Sequence, residues 1–140
     1  MMSGIEFSDG PVPAAEEIAA LYLANRWSSG KKPELVRKAL ENSDSLMLAR
    51  YRGRLIGLVN ALSDGHLVVY YPHLIVHPDY QGKGVGKALM ARVMKRYGDI
   101  HQQVLVADDH AEPFYRKLGF TLADGTKPMW IYDRTADGAA

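Results

Sequence analysis

The chain of 140 residues contains no cysteine. That absence excludes disulfides, a catalytic thiol and thiolate-ligated metals, and it is compatible with a reducing compartment. An excess of charge of one sign is lacking too. Seventeen Lys and Arg against 16 Asp and Glu leave a formal net charge of +1, so nothing points to a bulk polyanion such as DNA. No uninterrupted apolar run approaches the roughly 20 residues that span a bilayer. Met1 to Gly10 lacks the basic-then-apolar pattern of a signal peptide. Internal repeats and low-complexity linkers are missing as well. The expectation is a small soluble domain in the cytoplasm, with no metal, nucleic acid or membrane among its partners. What is present is ordinary globular usage, 47% hydrophobic and 24% charged residues, over a length that suits one domain.

Periodicity gives an order of elements. A short strand is expected over Gly4 to Ser8. A helix follows over Pro13 to Arg26, with Ile18, Leu21 and Tyr22 on one face. After a loop from Trp27 to Lys32, Pro33 opens a second helix through Leu40. Ser45–Tyr51, Arg54–Leu62 and His66–Val76 read as a hairpin series with turns at Arg52-Gly53 and Ser63-Asp64-Gly65. Val85 to Tyr97 is amphipathic, with Val85, Leu89 and Val93 on one stripe. Gln103–Ala107 reads as a strand and Ala111–Leu118 as a helix stopped by Gly119. Phe120–Ala123 and Met129–Asp133 read as a closing antiparallel pair, and residues 134–140 as a frayed tail.

The most informative segment is Gln81-Gly82-Lys83-Gly84-Val85-Gly86-Lys87, which lies between the apolar run Leu74-Ile75-Val76 and the amphipathic helix. A helix start leaves N–H groups without internal partners and carries partial positive charge. Glycines let an anion approach those groups closely, and Lys83 and Lys87 stand beside them. The segment reads as a phosphate cradle. It is neither of two familiar nucleotide loops. Its glycines are spaced G-x-G-x-G rather than G-x-G-x-x-G, and Gly86-Lys87 is followed by Ala88 instead of the Ser or Thr that a nucleotide P-loop requires.

Gln81, Gly84 and Gly86 fit the pattern Q/R-x-x-G-x-G/A. With Leu74-Ile75-Val76-His77-Pro78 before and Ala88-Leu89-Met90 after, the segment resembles motif A of the GNAT (GCN5-related) N-acetyltransferases. Ala111-x-x-x-Tyr115-x-Lys117-x-Gly119-Phe120 resembles that family's late signature. The resemblance covers roughly residues 45–133. It implies a single GNAT-type domain over residues 1–140. The implied fold is α/β, with a mixed, mostly antiparallel central sheet flanked by helices. Its fourth and fifth strands run parallel and splay apart, and acyl-CoA occupies the opening.

The resemblance also implies site roles. Backbone groups of Gln81, Gly82, Lys83, Gly84, Val85 and Gly86, with Lys83 or Lys87 as point charges, would hold the coenzyme A phosphates. Backbone amides of Leu74, Ile75 and Val76 would pair with the pantetheine arm, and one of them would polarise the thioester carbonyl. Tyr70, Pro72, Leu74 and Val76 share a side of that strand unless a bulge intervenes. Tyr115 would be the general acid for the departing thiolate, since a phenol can donate to it. The family's base position falls on Tyr70, which is no base at neutral pH. His73, Asp108, Asp109 and His110 are the remaining candidates. Asp108 stands where the family often has Asn, and an ionised Asp cannot donate to a cofactor.

Acceptor recognition is expected from the N-terminal part, with Trp27, Tyr70 and His73 as substrate-binding candidates. Trp27 either walls an amine through cation–π attraction or fills the core at a helix end. The function implied is an acetyl-CoA-dependent N-acetyltransferase that acts on a small-molecule or peptide amine by direct attack in a ternary complex. The alternatives are a non-catalytic acyl-CoA-binding or regulatory module and a transferase preferring a longer acyl chain. Dimers are frequent in the family, so a homodimer is compatible, although the sequence displays no self-association stripe.

Overall fold

Near-continuous apolar runs in the middle third of the chain build a sheet with two covered faces. The computed structural model describes residues 2–133. In chain order the elements are β1 (Ile5–Ser8), α1 (Ala15–Ala24), α2 (Pro33–Glu41), β2 (Ser45–Tyr51), β3 (Arg54–Ser63), β4 (Val68–Tyr70), β5 (Leu74–Val76), α3 (Val85–Met94), β6 (Gln102–Val104) and α4 (Glu112–Lys117). The sheet order is β1-β2-β3-β4-β6, with β5 also paired to β3. Among the described residues only β4 and β6 run parallel. The expected α/β architecture, a mixed and mostly antiparallel sheet flanked by helices, is observed.

Burial follows the pleat. Ile56, Val59, Ala61 and Val69 pack with Val85, Leu89, Met90 and Val93 of α3 on one face. Leu46, Leu48, Leu58 and Ile75 pack with Ile18, Leu21 and Tyr22 of α1 and Val36 and Leu40 of α2 on the other. The three α1 residues expected on one face are all buried. Arg50 of β2 grips Glu17 of α1 in a two-pronged ion pair, and this hydrogen bond holds the Glu17 carboxyl below its usual range.

Three expectations need correction. His66–Val76 is not one strand. From Leu62↔Tyr70 to Val59↔Leu74, β3 advances three residues while its partner advances four, which is a bulge. Pro72 has no N–H to contribute, and Tyr71 N–H turns away to Val104 O at 3.1 Å. The buried Asn60 fills the gap, because its Oδ1 accepts the His73 N–H at 3.0 Å. Side-chain parity therefore flips, so Tyr70 and Leu74 do not share a side: Tyr71 and Leu74 both pack on the α3 core, while Ile75 packs on the α1 core.

The second correction concerns Phe120–Ala123 and Met129–Asp133, which form no ladder. The turn at Asp124-Gly125 does form, with Thr126 N–H on Ala123 O. Pro128 then lacks a donor, and the unbroken apolar run Met129-Trp130-Ile131 has no alternation to set a register. The third concerns Gln103–Ala107, where the ladder ends at Val104. The expected tail over 134–140 lies outside the described residues. Among those described, no helix is long and apolar enough to cross a membrane.

Candidate active site

The bulge opens the sheet. The parallel partners β4 and β6 stay together through Val104, and beyond the Tyr71–Val104 rung they part. β5 continues the first line of chain but pairs only with β3, so among the described residues no strand covers its other edge, where only the Val76 carbonyl is taken, by the Gln81 side chain. Antiparallel pairing alternates. His77 N–H donates to Ile56 O and His73 O accepts from Asn60 N–H. Residues 73, 75 and 77 therefore face β3, while the amides of Leu74 and Val76 face the opening.

The opening is a cleft of about 2290 Å³. It runs from the start of α3, past β5, to residues 24–29 at the end of α1 and just after it, and to Pro128, Met129, Trp130 and Tyr132. At the α3 end, Gly84 is the residue before the helix, with φ at 85°, and no side chain caps the first turn. A Cβ is disfavoured in that left-handed conformation, and the first N–H groups of α3 have no intrahelical acceptor. Gly86 brings the same turn close to α4: a Cβ there would sit 3.4 Å from the Phe114 ring. Free amides at a helix start together with a free strand edge fit an elongated ligand with a phosphate-bearing end and an amide-bearing arm. Coenzyme A has both.

The sequence candidates largely converge here. Leu74, Ile75, Val76, Gln81, Gly82, Gly84, Val85, Gly86 and Lys87 line the cleft, as do Trp27, Tyr70, His73 and Tyr115. Lys83 does not: it is exposed and lies off the wall. Gln81 is committed elsewhere. Its N–H donates to Pro78 O, and its side chain donates to Val76 O at 2.9 Å and Asn25 Oδ1 at 3.1 Å. The side chain thus pins the glycine loop to the end of β5 and to the last turn of α1.

Tyr115 projects from α4 and is half-buried, with its ring edge-on to Phe114 and Phe120 at 5.0 and 6.0 Å. Burial raises its phenol pKa, and the nearby Asp108 charge adds to that. Among the described residues no group is hydrogen-bonded to its hydroxyl. The result is a phenol that keeps its proton at neutral pH and has it available to give.

His73, a base candidate by sequence, is held differently. Its Nδ1 lies 2.9 Å from the Tyr22 hydroxyl. Tyr22 is fully buried, and burial raises its pKa. A buried phenol with one partner donates to it rather than leave its hydrogen unsatisfied. Nδ1 therefore accepts, and the remaining proton sits on Nε2, which makes His73 a donor in its resting form. Burial also lowers its own pKa, so the ring is neutral at pH 7. Trp27 packs edge-on to both rings, 5.6 Å from Tyr22 and 5.3 Å from His73. The Trp27 alternatives thus merge, since it lies against the core on one side and lines the cleft on the other. Asp108 and His110 also line the cleft, and Asp109 does not.

Sequence reasoning missed Asn60, Tyr22 and the segment from Pro128 to Tyr132. No local pattern marks the first two, because each acts on a residue at least 13 positions away. The third carried a signal, an apolar aromatic run, that was read as a strand.

Comparison with known proteins agrees with this geometry. The family profile described as an acetyltransferase (GNAT) domain matches residues 12–127. An uncharacterized N-acetyltransferase, ycf52, of Gracilaria tenuistipitata var. liui is 44% identical over 81 residues, covering 56% of this chain and 44% of that protein. The histone acetyltransferase TAP1 of Glycine max is 39% identical over 82 residues, covering 56% of this chain and 36% of that one. The aligned parts thus amount to about half, or less, of these relatives' own length. Among solved structures, a GNAT-family acetyltransferase from Streptococcus pneumoniae superposes with a TM-score of 0.80 at 28% identity, covering 91% of this chain and 98% of that one.

Proposed function

The chain belongs to the GNAT family of acetyltransferases, and from that premise we propose that it transfers the acetyl group of acetyl-CoA to a primary amine by direct attack in a ternary complex. On this reading residues 1–140 form one catalytic domain working in the cytoplasm. One observation carries the proposal: the free edge of β5 leads directly onto the uncapped start of α3, and Tyr115 stands in the same cleft.

Acetyl-CoA, when bound, supplies an acetyl thioester. The amides at the start of α3, from Gly82 to Lys87, hold its phosphates, with the Lys87 ammonium as a point charge. The outward amides of Leu74 and Val76 take up the pantetheine arm. One of these N–H groups also donates to the carbonyl oxygen as charge develops there, a contribution of roughly 3–4 kcal/mol where such donors have been removed elsewhere. Tyr115 donates its hydroxyl proton to the departing sulfur. His73 is a positioning residue, which keeps Trp27 and Tyr22 in place and takes no proton from the amine.

Thiol release from acetyl-CoA, followed on addition of amines, tests this reading. Release that requires an amine and falls about 100-fold in Tyr115→Phe, with acetyl-CoA affinity unchanged, is the expected result. Full activity in Tyr115→Phe, where chemistry limits the rate, would remove the tyrosine from the mechanism. Acetyl-CoA binding without release by any amine would instead favour the non-catalytic acyl-CoA-binding module.

A further inference from the structure

On the proposed reading Tyr115 serves the departing thiolate, while the attacking amine still lacks a base. An amine arrives as an ammonium and must shed a proton before its lone pair can attack. Few groups on the described cleft wall can take that proton. A phenol or a cation is no base at neutral pH, which sets aside the tyrosines together with Arg26, Lys87 and Lys117. The His73 Nδ1 lone pair is already held by the Tyr22 hydroxyl. Asp108, the wall's single carboxylate among the described residues, and His110 remain.

Asp108 directly precedes the single turn Asp109–Ala111, where an aspartate side chain commonly accepts an N–H from the turn it starts. It makes no such bond. The turn is closed by its backbone carbonyl instead, which accepts the Ala111 N–H at 2.8 Å. Among the described residues no hydrogen bond or ion pair takes up its carboxylate. Its place along the seam is equally specific. From the Tyr71–Val104 rung, Leu74 lies three residues along one side of the opening and Asp108 four along the other. The carboxylate therefore borders the cleft on the side opposite the amide given to the pantetheine arm. Its charge is felt at Tyr115, where it adds to the upward shift that burial gives the phenol. A carboxylate also attracts an ammonium by charge, and a neutral imidazole such as His110 does not.

We propose that Asp108 is the general base, the group that draws in the acceptor's ammonium and takes its proton, directly or across one water. This inference rests on the acetyltransferase reading of the same site. Asp108 takes a first proton from the ammonium and releases it to solvent. The freed lone pair bonds to the acetyl carbon, and the carbon–sulfur bond breaks with its electron pair going to sulfur. The nitrogen gives a second proton to the carboxylate as Tyr115 gives its own to the sulfur, and exchange through solvent returns that proton to Tyr115. The products are an N-acetyl amine, a free thiol and one proton.

The test follows kcat/KM for amine-dependent thiol release from pH 6.5 to 9 in the wild type, Asp108→Asn, Asp108→Glu and His110→Gln. The acceptors are a peptide α-amine, with a pKa of about 8, and a lysine side chain in a peptide, at about 10.4. Asparagine keeps the shape and removes the base, and unfolding midpoints with and without acetyl-CoA verify that each variant folds and binds. At pH 6.5 only about 3% of the α-amine is unprotonated, so Asp108→Asn should fall about 30-fold below the wild type. At pH 9 that gap should close to about threefold or less, because the amine arrives without its extra proton. The more basic lysine should keep a gap of about tenfold or more throughout. Asp108→Glu should recover most of the loss, and His110→Gln should follow the wild type. Parallel profiles of the wild type and Asp108→Asn would overturn the assignment, and a pH-dependent loss in His110→Gln alone would give the role to the imidazole; in both cases the transferase stands. An acetyl-CoA shift with no release by either amine would also overturn it. Absence of any acetyl-CoA shift would bring down the transferase reading and this inference together.

Discussion

At the scale of single residues, protonation decides role. His73 and Tyr115 both line the cleft, and burial acts on both, in opposite directions. For the phenol, burial disfavours the phenolate and leaves an acid that keeps its proton. For the imidazole, burial disfavours the imidazolium and leaves a neutral ring. The folded-state pKa of His73 thus lies below the unfolded value of about 6.5. Between these two values the unfolded chain binds more protons, so stability falls as pH drops below about 6.5 and is unaffected by this group above it. Urea unfolding at pH 7.5 and 5.5 should show a larger loss for the wild type than for His73→Gln. Any fall of kcat toward acid pH in the wild type should persist in the variant, since on the proposed reading His73 is not the base. Identical pH dependence of stability, or disappearance of the kcat limb, would contradict the assigned state.

At the scale of elements, the bulge between β4 and β5 governs the site. Asn60 sits on β3, yet its side chain accepts the His73 N–H and donates to Ser43 Oγ at 3.0 Å. Asn60→Ala leaves the partly buried His73 N–H without its acceptor, while Ser43 Oγ keeps its bond to Ala39 O. The expected cost is about 1–3 kcal/mol in denaturant unfolding, with weaker acetyl-CoA binding because the outward register of Leu74 and Val76 depends on the bulge. Unchanged stability and affinity would mean that Pro72 alone sets it. A bulge of this kind is hard to read from sequence. Pro72 hinted at an interruption, but the residue that completes it lies 13 positions away on another strand. The glycine loop was legible for the opposite reason: its φ values, its missing cap and its helix all belong to neighbouring residues. The last segment misled because β-forming residues were present, while the alternation that would fix their pairing was not.

At the scale of the molecule, the sheet's two packed faces carry one open seam, and every element of the candidate site borders it. Residues of the two motifs at Gln81–Gly86 and Ala111–Phe120 line the seam, and both motifs were legible in the sequence because each depends on backbone conformation within a few residues. The convergence of Trp27, Tyr70, Trp130 and Tyr132 depends on tertiary folding and was beyond local pattern. The central claim is that this seam is an acetyl-CoA site. Thermal unfolding with acetyl-CoA, set against ATP and NAD, tests it most directly. At about 100 times its dissociation constant, acetyl-CoA should stabilise the fold by roughly 2.7 kcal/mol, and ATP and NAD should give no comparable shift. No shift at saturating acetyl-CoA, or an equal shift with ATP, would contradict the account.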